Sequence, residues 1–308
     1  EDLIDGNFLV INGDTLVAGK SISKIASGKI TTLGIMEVDD THNLGVVETS
    51  KGKVTHIYEK PEKSPSRIVN AGLYLFTPDI FDAIPQTSKS PRGEYEITDS
   101  LQLILDKGHQ ISCHKMSYWL NLSHPWDLLP ANESLLNKIE MQNLGKVEEN
   151  VVTRGVISIG KNTVVRSGSY IVGPVIIGQD CDIGPNCYIR QYTSIGDGCH
   201  IGNAVEIKNS IIMNGSKIPH HNYVGDSIIG EGCNLGAGTK IANLRMDKKD
   251  ITAAGMDTKR RKLGAIIGDR VETGINACIN VGSVIGNNTH IGPGAMASGV
   301  ISPDSTIF

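Results

Sequence analysis

Several side chains in this sequence have the types and spacing that chemistry on phosphorylated molecules requires. Asp14 follows the apolar run Phe8–Ile11 through an Asn-Gly pair. This predicts a carboxylate at the end of a buried parallel strand, where α/β folds bind metal ions and ligands. Arg190 and Lys208 each follow an isoleucine and are 18 residues apart. His220 lies twelve residues after Lys208, and an imidazole can remove a proton near neutral pH.

A six-residue repeat organises the part of the chain that carries the two cations. Nine consecutive sixth positions, from Ile159 to Ile207, are aliphatic and β-branched, and glycine often follows them. This period predicts a parallel β-helix with three short strands per coil, so that residues 18 apart stack on each other. Arg190 and Lys208 would then project outward from successive coils and repel each other by about 1 kcal/mol if exposed. They form either a phosphate clamp or solvated surface charge.

The repeat is predicted to be interrupted in two places. Its period falters at Met213 and Pro219, resumes with Tyr223, and is broken again by an insertion over residues 244–262 before it returns at Ile267. We expect function at such interruptions, because they depart from the stacking rule that the rest of the repeat obeys.

Composition agrees with this organisation. The 308 residues suffice for two domains, and a chain that is 39% hydrophobic but only 5% aromatic suits a core of stacked isoleucine and valine. A net charge of −4 argues against a nucleic-acid partner. There is no signal peptide, and no apolar run approaches the ~20 residues that span a bilayer, so we expect a cytoplasmic protein without a membrane partner.

The six cysteines show no CxxC pattern. Cys181, Cys187 and Cys199 each lie four residues after a repeat aliphatic, which predicts small core thiols in a reducing compartment rather than disulfides or metal ligands. The first residue is Glu, and the first predicted strand follows almost at once. We therefore expect a fragment, or a chain whose start lies upstream.

The first 143 residues predict alternating strands and short helices. Strands are expected at 8–11, 30–38, 68–76 and 111–118, a hairpin at 45–59, and helices at 20–27, 78–84 and 100–107, with a last helix that starts within 119–127 and reaches about residue 142. Gly72 lies within one of these strands and would let a ligand approach the backbone closely.

Five motifs in this half resemble the sugar-1-phosphate nucleotidylyltransferase family: Asn12-Gly-Asp14, Glu59-Lys-Pro61, Asn70-Ala-Gly72, Glu94-Tyr-Glu-Ile-Thr-Asp99 and the segment Trp119 to Asp127. The resemblance implies a Rossmann-like α/β domain, present here in part. It implies that Asp14 and Asn121 bind Mg²⁺. It further implies that Glu59 and Lys60 hold the sugar phosphate, that Asn70 holds the sugar, and that Gly45 lets the backbone approach the sugar.

This half departs from the family pattern at three points. The glycine-rich nucleotide loop of the family would precede the present chain. Asn121 stands where the family has a second aspartate, and Ser123 stands where it has glycine. An amide binds Mg²⁺ more weakly than a carboxylate.

The repeat half resembles the acetyltransferase domain of the bifunctional N-acetylglucosamine-1-phosphate uridylyltransferase family. The matching residues are Arg190, Glu206-Ile-Lys208, His220-His-Asn-Tyr-Val-Gly-Asp226, Asn234-Leu-Gly-Ala-Gly238 and Asn243. The insertion, with its basic run Thr258 to Lys262, looks closer to the archaeal-type relatives.

The second resemblance implies a role for each of these residues. Arg190, Lys208 and Tyr223 would bind the sugar phosphate, and His220 would be the general base that deprotonates the amine of the sugar. Asn234 would bind the amino sugar. The acetyl-CoA ligands would be Asn243, Ala237 and Gly238, together with Lys259 and Arg260, unless the basic run is simply a solvated loop.

The sequence therefore predicts an α/β nucleotidylyltransferase-like partial domain over residues 1–143 and a left-handed parallel β-helix over residues 144–308. The expected function is acetyl-CoA-dependent N-acetylation of an amino-sugar 1-phosphate, within a bifunctional Mg²⁺-dependent enzyme that makes UDP-N-acetylglucosamine. We expect a homotrimer or a dimer of trimers, because such rods commonly pack side by side. The sugar, glucosamine or galactosamine, and the nucleotide stay open.

Two other interpretations of the sequence were weighed. The chain could be a non-catalytic regulatory or scaffolding subunit, which the absent nucleotide loop and Asn121 favour. It could also be a zinc enzyme of the γ-carbonic anhydrase type, which shares the repeat and uses three histidines. His200, His220 and His221 are the candidates for that site.

Overall fold

The computed structural model describes residues 4–308. The chain forms two compact units, the first ending at Ser123 and the second comprising His124–Phe308. This division assigns residues 124–143 to the second unit, whereas the sequence predicts a boundary after residue 143. The reason is that helix Leu128–Leu136 packs on the outside of the coils, where Leu129 and Trp126 join a buried cluster with Ile228.

The first unit is built on a mixed six-stranded sheet with helices packed against it. Its strands are β1 (Phe8–Ile11), β2 (Thr15–Val17), β3 (Thr32–Glu37), β4 (Val46–Ser50), β5 (Lys53–Tyr58), β6 (Ile68–Phe76), β7 (Ser112–Lys115) and β8 (Trp119–Asn121). The sheet order is β1-β6-β3-β7-β5-β4, and β2 pairs separately with β8. The helices are α1 (Gly19–Ala26), α2 (Asp79–Ala83) and α3 (Ile97–Asp106), with a 3₁₀ turn at Ile84–Gln86.

The predicted position of the first strand is correct, but its expected environment is wrong. Within the described residues β1 pairs with β6 alone, and the pairing is antiparallel. Leu9 and Ile11 are 38% and 43% exposed, so β1 is an edge strand rather than a buried parallel one.

The predicted helix from the Trp119 segment to about residue 142 is also wrong in its extent. Residues Trp119–Asn121 form β8, which pairs antiparallel with β2. Pro125 holds the preceding His124 in an extended conformation, since α geometry there would clash with the proline ring. A 3₁₀ turn (Pro125–Asp127) then leads into α4 (Leu128–Leu136), and Gln142–Asn143 is already a strand of the first coil.

The second unit is a parallel β-helix whose strands form three faces. Face 1 contains Lys146–Val147, Val164–Val165, Asp182–Ile183, His200–Asn203, Lys217–His220, Asn234–Leu235, Glu272–Thr273, His290–Ile291 and Thr306–Ile307. Face 2 contains Val152–Arg154, Tyr170–Val172, Tyr188–Ile189, Glu206–Lys208, Tyr223–Gly225, Lys240–Ile241, Cys278–Ile279 and Met296–Ala297. Face 3 contains Gln142–Asn143, Ile157–Ile159, Val175–Ile177, Thr193–Ile195, Ile211–Ile212, Ile228–Ile229, Ala265–Ile267, Ser283–Ile285 and Val300–Ile301.

The hexapeptide-repeat, left-handed β-helix is confirmed by this ladder. All nine repeat aliphatics from Ile159 to Ile207 are at most 4% exposed. Residues 18 apart pair in parallel, as between Ile183 and Ile201. Cys181, Cys187 and Cys199 are unpaired and buried in this core, as predicted.

The predicted break after Ile207 is wrong. The next buried aliphatic is Ile212, five residues on rather than six, and the row then continues through Ile218 and Val224. One residue has been lost from the corner between faces 2 and 3, so the pattern shifts by one and does not stop. Tyr223, which was expected to carry the core position, is only half-buried beside it.

Most irregular features of the coils fall at this same corner between faces 2 and 3, although the first coil is instead two residues shorter between faces 3 and 1, after Asn143. The corner between faces 2 and 3 is one residue shorter after Lys208 and again after Gly225, and in the following coil it contains the insertion, closed by a bridge between Leu244 and Lys262. The insertion has its own hairpin (Thr252–Ala253 with Met256–Asp257). Its residue Ile251 is fully buried in the cluster that also contains Trp126.

No helix among residues 4–308 is long and apolar enough to cross a membrane.

Candidate functional sites

A cavity of about 260 Å³ in the first unit gathers every residue that the sequence assigned to sugar-phosphate and metal binding there: Asp14, Gly45, Glu59, Lys60, Asn70 and Asn121. These residues are spread over more than 100 positions of the chain. The sheet brings them together because β6 lies between β1 and β3 and also pairs with β4. Their individual roles stay predictions.

The two candidate metal ligands lie at the pairing of β2 with β8. Thr15, next to Asp14, is the strand partner of Asn121, and the backbone N–H of Leu122 donates to the carbonyl of Asp14 at 2.8 Å. The Asn121 side-chain N–H donates to Ser123 Oγ at 2.7 Å, which leaves the amide oxygen as an acceptor. One carboxylate and one amide oxygen suit Mg²⁺, which prefers oxygen ligands and usually keeps several waters and substrate phosphates.

Glu59 is held in the cavity by two donors that sequence reasoning did not single out. Thr98 Oγ1 donates to Glu59 Oε2 at 2.8 Å, and Arg92 Nη2 donates to Glu59 Oε1 at 3.0 Å and to Glu96 at 2.5 Å. The Lys60 ammonium lies 3.8 Å from Glu59. The only signal for Arg92 and Thr98 was their place in and beside the Glu94–Asp99 motif.

This side of the cavity is rich in negative charge. The pKa of Asp99 is raised, first by burial and then by the neighbouring carboxylates Glu96 and Glu59. The hydrogen bond to Glu96 in turn raises the pKa of the Arg92 guanidinium. Arg92 therefore stays charged and joins the two carboxylates.

Asn70 is fixed by the cavity floor. Its backbone N–H donates to the carbonyl of Gly45 at 2.9 Å, and its side-chain N–H donates to the hydroxyl of Tyr74 at 2.7 Å. Burial raises the pKa of Tyr74 to about 12, so that its hydroxyl is protonated at neutral pH. Tyr74 was expected only as part of a strand. Its role depends on its hydrogen bond with the side chain of Asn70, four residues earlier on β6, which the sequence pattern did not indicate.

Gly72 is required by the close packing beside Asn70. Its φ is +67°, and a Cβ at this position would lie 2.8 Å from the side-chain nitrogen of Asn12. Gly72 was predicted to let a ligand approach the backbone closely. In the structure it is the Asn12 side chain, which also lines the cavity, that lies against Gly72.

On the β-helix, the stacked cations are not bare. Arg190 Nη1 donates to Glu206 Oε1 at 2.8 Å, and Lys208 Nζ donates to Asp226 Oδ2 at 3.1 Å. The repulsion expected between the two cations is therefore offset, since each cation pairs with a carboxylate one coil further on. The pairs differ in burial: Glu206 is 37% exposed and Asp226 only 4%.

Lys208, Tyr223 and Asn243 meet around Asp226. Asn243 Nδ2 donates to Asp226 Oδ2 at 2.5 Å, and the Tyr223 hydroxyl and Asn243 Nδ2 both lie within 3 Å of the point that a Cβ on Gly225 would occupy. Burial, followed by the charge of Asp226, raises the pKa of Tyr223. A Cβ on Gly225 would lie 2.6 Å from the Tyr223 hydroxyl, so glycine is needed to let the ring fold over the corner.

His220 lies apart from this cluster. It is exposed at the end of a face 1 strand, and among the described residues its side chain has no hydrogen-bond partner. Its carbonyl accepts the N–H of Gly238 at 2.9 Å, which ties it to the Asn234–Gly238 segment. Asn234 is exposed on the same face, one coil on. The neighbouring His221 turns the corner with φ +53°, and its carbonyl accepts the Lys240 ammonium.

A second, open cavity of about 610 Å³ lies at the base of the insertion. We call it the basic cavity; its lining consists of Asp226, Leu244, Lys248, Lys259, Arg260, Arg261 and Lys262. It contains both predicted CoA-binding cations, Lys259 and Arg260. The Arg260 Nε is buried without a hydrogen-bond partner among the described residues. The cations outnumber the single carboxylate, which already pairs with Lys208.

The zinc interpretation finds no support within this chain. Among residues 4–308 no three His, Cys, Asp or Glu side chains come close enough to hold a metal ion.

Comparison with known proteins agrees with both halves. The nucleotidyl transferase family model matches residues 3–138, and the model of a GMPPB C-terminal domain matches residues 171–281. A bifunctional sugar-1-phosphate nucleotidylyltransferase/acetyltransferase of Sulfurisphaera tokodaii is 42% identical over 298 residues, which cover 94% of this chain and 74% of that protein.

Two archaeal proteins named bifunctional protein GlmU match over a similar length. The one from Methanocaldococcus jannaschii is 39% identical, covering 100% of this chain and 76% of its own. The one from Methanococcus aeolicus is 37% identical, covering 99% and 75%. The chain belongs to the family of bifunctional sugar-1-phosphate nucleotidylyltransferase/acetyltransferase enzymes.

Proposed function

We propose that the β-helix unit transfers the acetyl group of acetyl-CoA to the amine of an amino-sugar 1-phosphate, glucosamine-1-phosphate or galactosamine-1-phosphate. The observation that carries the proposal is that Lys208 and Asn243 both donate to one buried carboxylate, Asp226, with the Tyr223 hydroxyl beside Asn243. Residues assigned separately to the sugar phosphate and to acetyl-CoA thereby share one corner of the coils. The substrate phosphate binds Arg190, Lys208 and Tyr223.

His220 acts as the general base of this reaction. It removes one proton from the ammonium group of the sugar, because only the neutral amine is a nucleophile. The nitrogen then forms a bond to the thioester carbonyl carbon, and the carbon–sulfur bond breaks. The second proton that the nitrogen loses goes to the sulfur, so CoA leaves as a thiol. The His220 side chain is exposed and has no hydrogen-bond partner within residues 4–308, which suits a base that meets a substrate.

Acetyl-CoA binds across face 2, between the corner that carries Ala237 and Gly238 and the corner that carries Asn243. Lys259 and Arg260 of the basic cavity bind its phosphates. The lining of that cavity, which has five basic side chains (Lys248, Lys259, Arg260, Arg261 and Lys262) and one carboxylate, supports this placement over a purely solvated loop. Phosphate groups and lysine or arginine form strong charge-assisted hydrogen bonds.

Release of free thiol tests the acetyl transfer. We expect CoA to appear when the chain is mixed with acetyl-CoA and glucosamine-1-phosphate, and not with glucose-1-phosphate, which lacks the amine. His220→Ala should lower the rate by roughly 10²–10⁴-fold, the usual contribution of a general base. His221→Ala is the matched control. No release by the unmodified chain, or full rate in His220→Ala, would contradict the proposal.

We further propose that the first unit binds the sugar 1-phosphate for nucleotidyl transfer from UTP, which gives UDP-N-acetylglucosamine. Asp14 and Asn121 would hold Mg²⁺, which offsets the negative charge of the reacting phosphates. Glu59 and Lys60 hold the sugar phosphate, with the Lys60 ammonium offsetting its charge, and Asn70 hydrogen-bonds the sugar hydroxyls.

Release of pyrophosphate tests this second activity. With UTP, N-acetylglucosamine-1-phosphate and Mg²⁺ we expect pyrophosphate, and Asp14→Ala should abolish it. Titration of the sugar phosphate alone, by calorimetry, gives an independent readout. Tight binding without turnover would favour the regulatory-subunit interpretation instead.

We infer that the active assembly is a homotrimer or a dimer of trimers in the cytoplasm, where acetyl-CoA and sugar phosphates occur. An outward row on face 2 supports the assembly, because Tyr170, Tyr188 and Met296 are 39%, 39% and 62% exposed and large exposed apolar side chains favour association. Sedimentation should give a mass near three or six times 33.0 kDa. A monomer at assay concentration would overturn this.

A further inference from the structure

We propose that Asp226 is a positioning residue of the acetyl-transfer site, which sets the place of the Lys208 ammonium and of the Asn243 amide. The inference rests on the proposed function and adds a residue to it. Asp226 itself is too deeply buried to meet a substrate: its side chain is 4% exposed, whereas that of Lys208 is 20% exposed. It therefore acts through its partners.

The carboxylate of Asp226 joins three consecutive coils at one corner. Oδ2 accepts Lys208 Nζ at 3.1 Å and Asn243 Nδ2 at 2.5 Å, while Oδ1 accepts Asn209 Nδ2 at 2.7 Å. Lys208 and Asn209 belong to the preceding coil and Asn243 to the following one. A buried carboxylate with three donors holds each of them in one place.

The backbone of Asp226 is equally constrained. Its N–H donates to the carbonyl of Lys208 at 2.9 Å, and its carbonyl accepts the N–H of Gly264 at 2.8 Å. Its φ of +51° is a left-handed conformation, which aspartate tolerates better than most residues. Gly264 follows the insertion directly, so Asp226 connects the coil that carries Lys208 with the segment that carries the basic cavity.

The arrangement has a specific consequence for Lys208. A lysine side chain is long and flexible, and an ammonium with a partner on one side only is poorly oriented. One N–H is directed to Asp226, and the other two have no hydrogen-bond partner among the described residues, so they can bind a ligand. The paired site also carries less net positive charge, so it binds phosphate by fitted hydrogen bonds more than by attraction alone.

A double-mutant cycle between Asp226 and Lys208 tests the proposal. We expect Asp226→Asn to raise the KM for glucosamine-1-phosphate by tenfold or more, with kcat changed less than threefold, and Lys208→Met to raise it at least as much. In the double variant the increase should match that of Lys208→Met alone. A merely structural role would instead make the two increases multiply.

Asp182→Asn is the matched control, because Asp182 also pairs with a cation, Arg166, but on face 1 and in an exposed position. It should leave the KM unchanged. Asp226→Glu, which restores the charge, should recover part of the affinity.

The proposal is overturned if Asp226→Asn leaves the KM unchanged or tightens the binding of the sugar phosphate. Tighter binding would mean that the negative charge of Asp226 weakens phosphate binding. Calorimetric titration of each variant with glucosamine-1-phosphate in the absence of acetyl-CoA supplies a readout without turnover. If the unmodified chain binds this sugar phosphate but releases no CoA, the proposed function fails while the positioning role can still be measured. Equal binding by the unmodified chain and Asp226→Asn contradicts the positioning role alone.

Discussion

The two units assemble their candidate sites in opposite ways. In the first unit, residues more than 100 positions apart, such as Asp14 and Asn121, line one cavity of about 260 Å³. In the second, Lys208, Asp226 and Asn243 are separated by 18 and 17 positions and stack at one corner of the coils. The first site depends on a sheet with long-range strand pairings, while the second depends on the stacking of three neighbouring coils.

The difference explains where each unit tolerates irregularity. The sheet of the first unit requires particular contacts, such as Gly72 against Asn12, and one misfit disturbs several site residues at once. The β-helix keeps its buried rows regular and confines most of its departures to one corner, where four residues are lost over three coils and 244–262 are inserted. Because the neighbouring coils maintain the core, one corner of a coil can change in length and carry candidate site residues without loss of the fold.

The two tryptophans allow the units to be followed separately. Trp119 lies in the first unit and Trp126 in the second, and the chain contains no other tryptophan. Trp126→Phe therefore leaves a fluorescence signal from the first unit, and Trp119→Phe leaves one from the second. Each prediction below uses the appropriate background for urea unfolding.

The largest expected effect is on a repeat position of the β-helix. Ile201 is fully buried, and Ile201→Ala should lower the free energy of unfolding of the second unit by about 2–5 kcal/mol through lost burial and a cavity. Val300→Ala is the control, because Val300 is 64% exposed and should change stability by less than about 0.5 kcal/mol. If Ile201→Ala lowered the free energy of unfolding by less than about 1 kcal/mol, the coils would be able to repack around the lost side chain, and the proposed dependence of the second unit on its regular buried rows would be wrong.

The next effect concerns pH in the first unit. The pKa of Tyr74 is about 12 in the fold against a usual value of 10, so the fold prefers the neutral hydroxyl. The contribution of Tyr74 to the free energy of unfolding is fully present below pH 10, and about 2–3 kcal/mol of it is lost as the pH rises from 10 to 12. Tyr74→Phe should remove most of this alkaline loss. Equal losses in both proteins would show that other groups cause it.

A smaller effect is expected from the packing of Gly72. Gly72→Ala and Gly52→Ala both place a side chain at positive φ, but only Gly72 has a neighbour within 4 Å of the new Cβ. Gly72→Ala should therefore cost about 1–3 kcal/mol more than Gly52→Ala in unfolding of the first unit. Similar costs would mean that backbone strain, and not the contact with Asn12, sets the requirement.

The smallest effect is expected from an exposed ion pair of the β-helix. Arg166 and Asp182 are 43% and 40% exposed, and Asp182→Asn should change the free energy of unfolding of the second unit by less than about 1 kcal/mol. Asp226→Asn, at a buried pair, should cost more. If Asp182→Asn cost more than Asp226→Asn, burial would not explain the difference in stability between the Arg166–Asp182 and Lys208–Asp226 pairs.

Sequence reasoning worked best where structure is local. The six-residue period predicted the β-helix and its buried row, because each coil repeats the same short-range requirement. It failed at residues 208–224, where a corner shorter by one residue shifted the pattern and Val224, not Tyr223, took the buried position. A one-residue deletion changes the count along the chain but not the stacking in space.

In the first unit, motifs located the site but not its supporting contacts. Asp14, Glu59 and Asn70 line one cavity, while the roles that the resemblance implies for them stay predictions. Arg92, Thr98 and Tyr74 were not singled out, because their importance lies in the hydrogen bonds of their side chains to Glu59 and Asn70. Such contacts have no fixed spacing along the sequence.

The sequence by itself determined the class of each half, the β-helix period and the identity of most candidate site residues, since these follow from residue type and short spacing. Only the tertiary structure decided that Arg190 and Lys208 are each paired with a carboxylate, and that Lys208 and Asn243 both donate to Asp226. The physical reason is that burial and hydrogen-bond partners depend on which coils and strands become neighbours. Charge in a sequence is a property of one residue, whereas its neutralisation is a property of the fold.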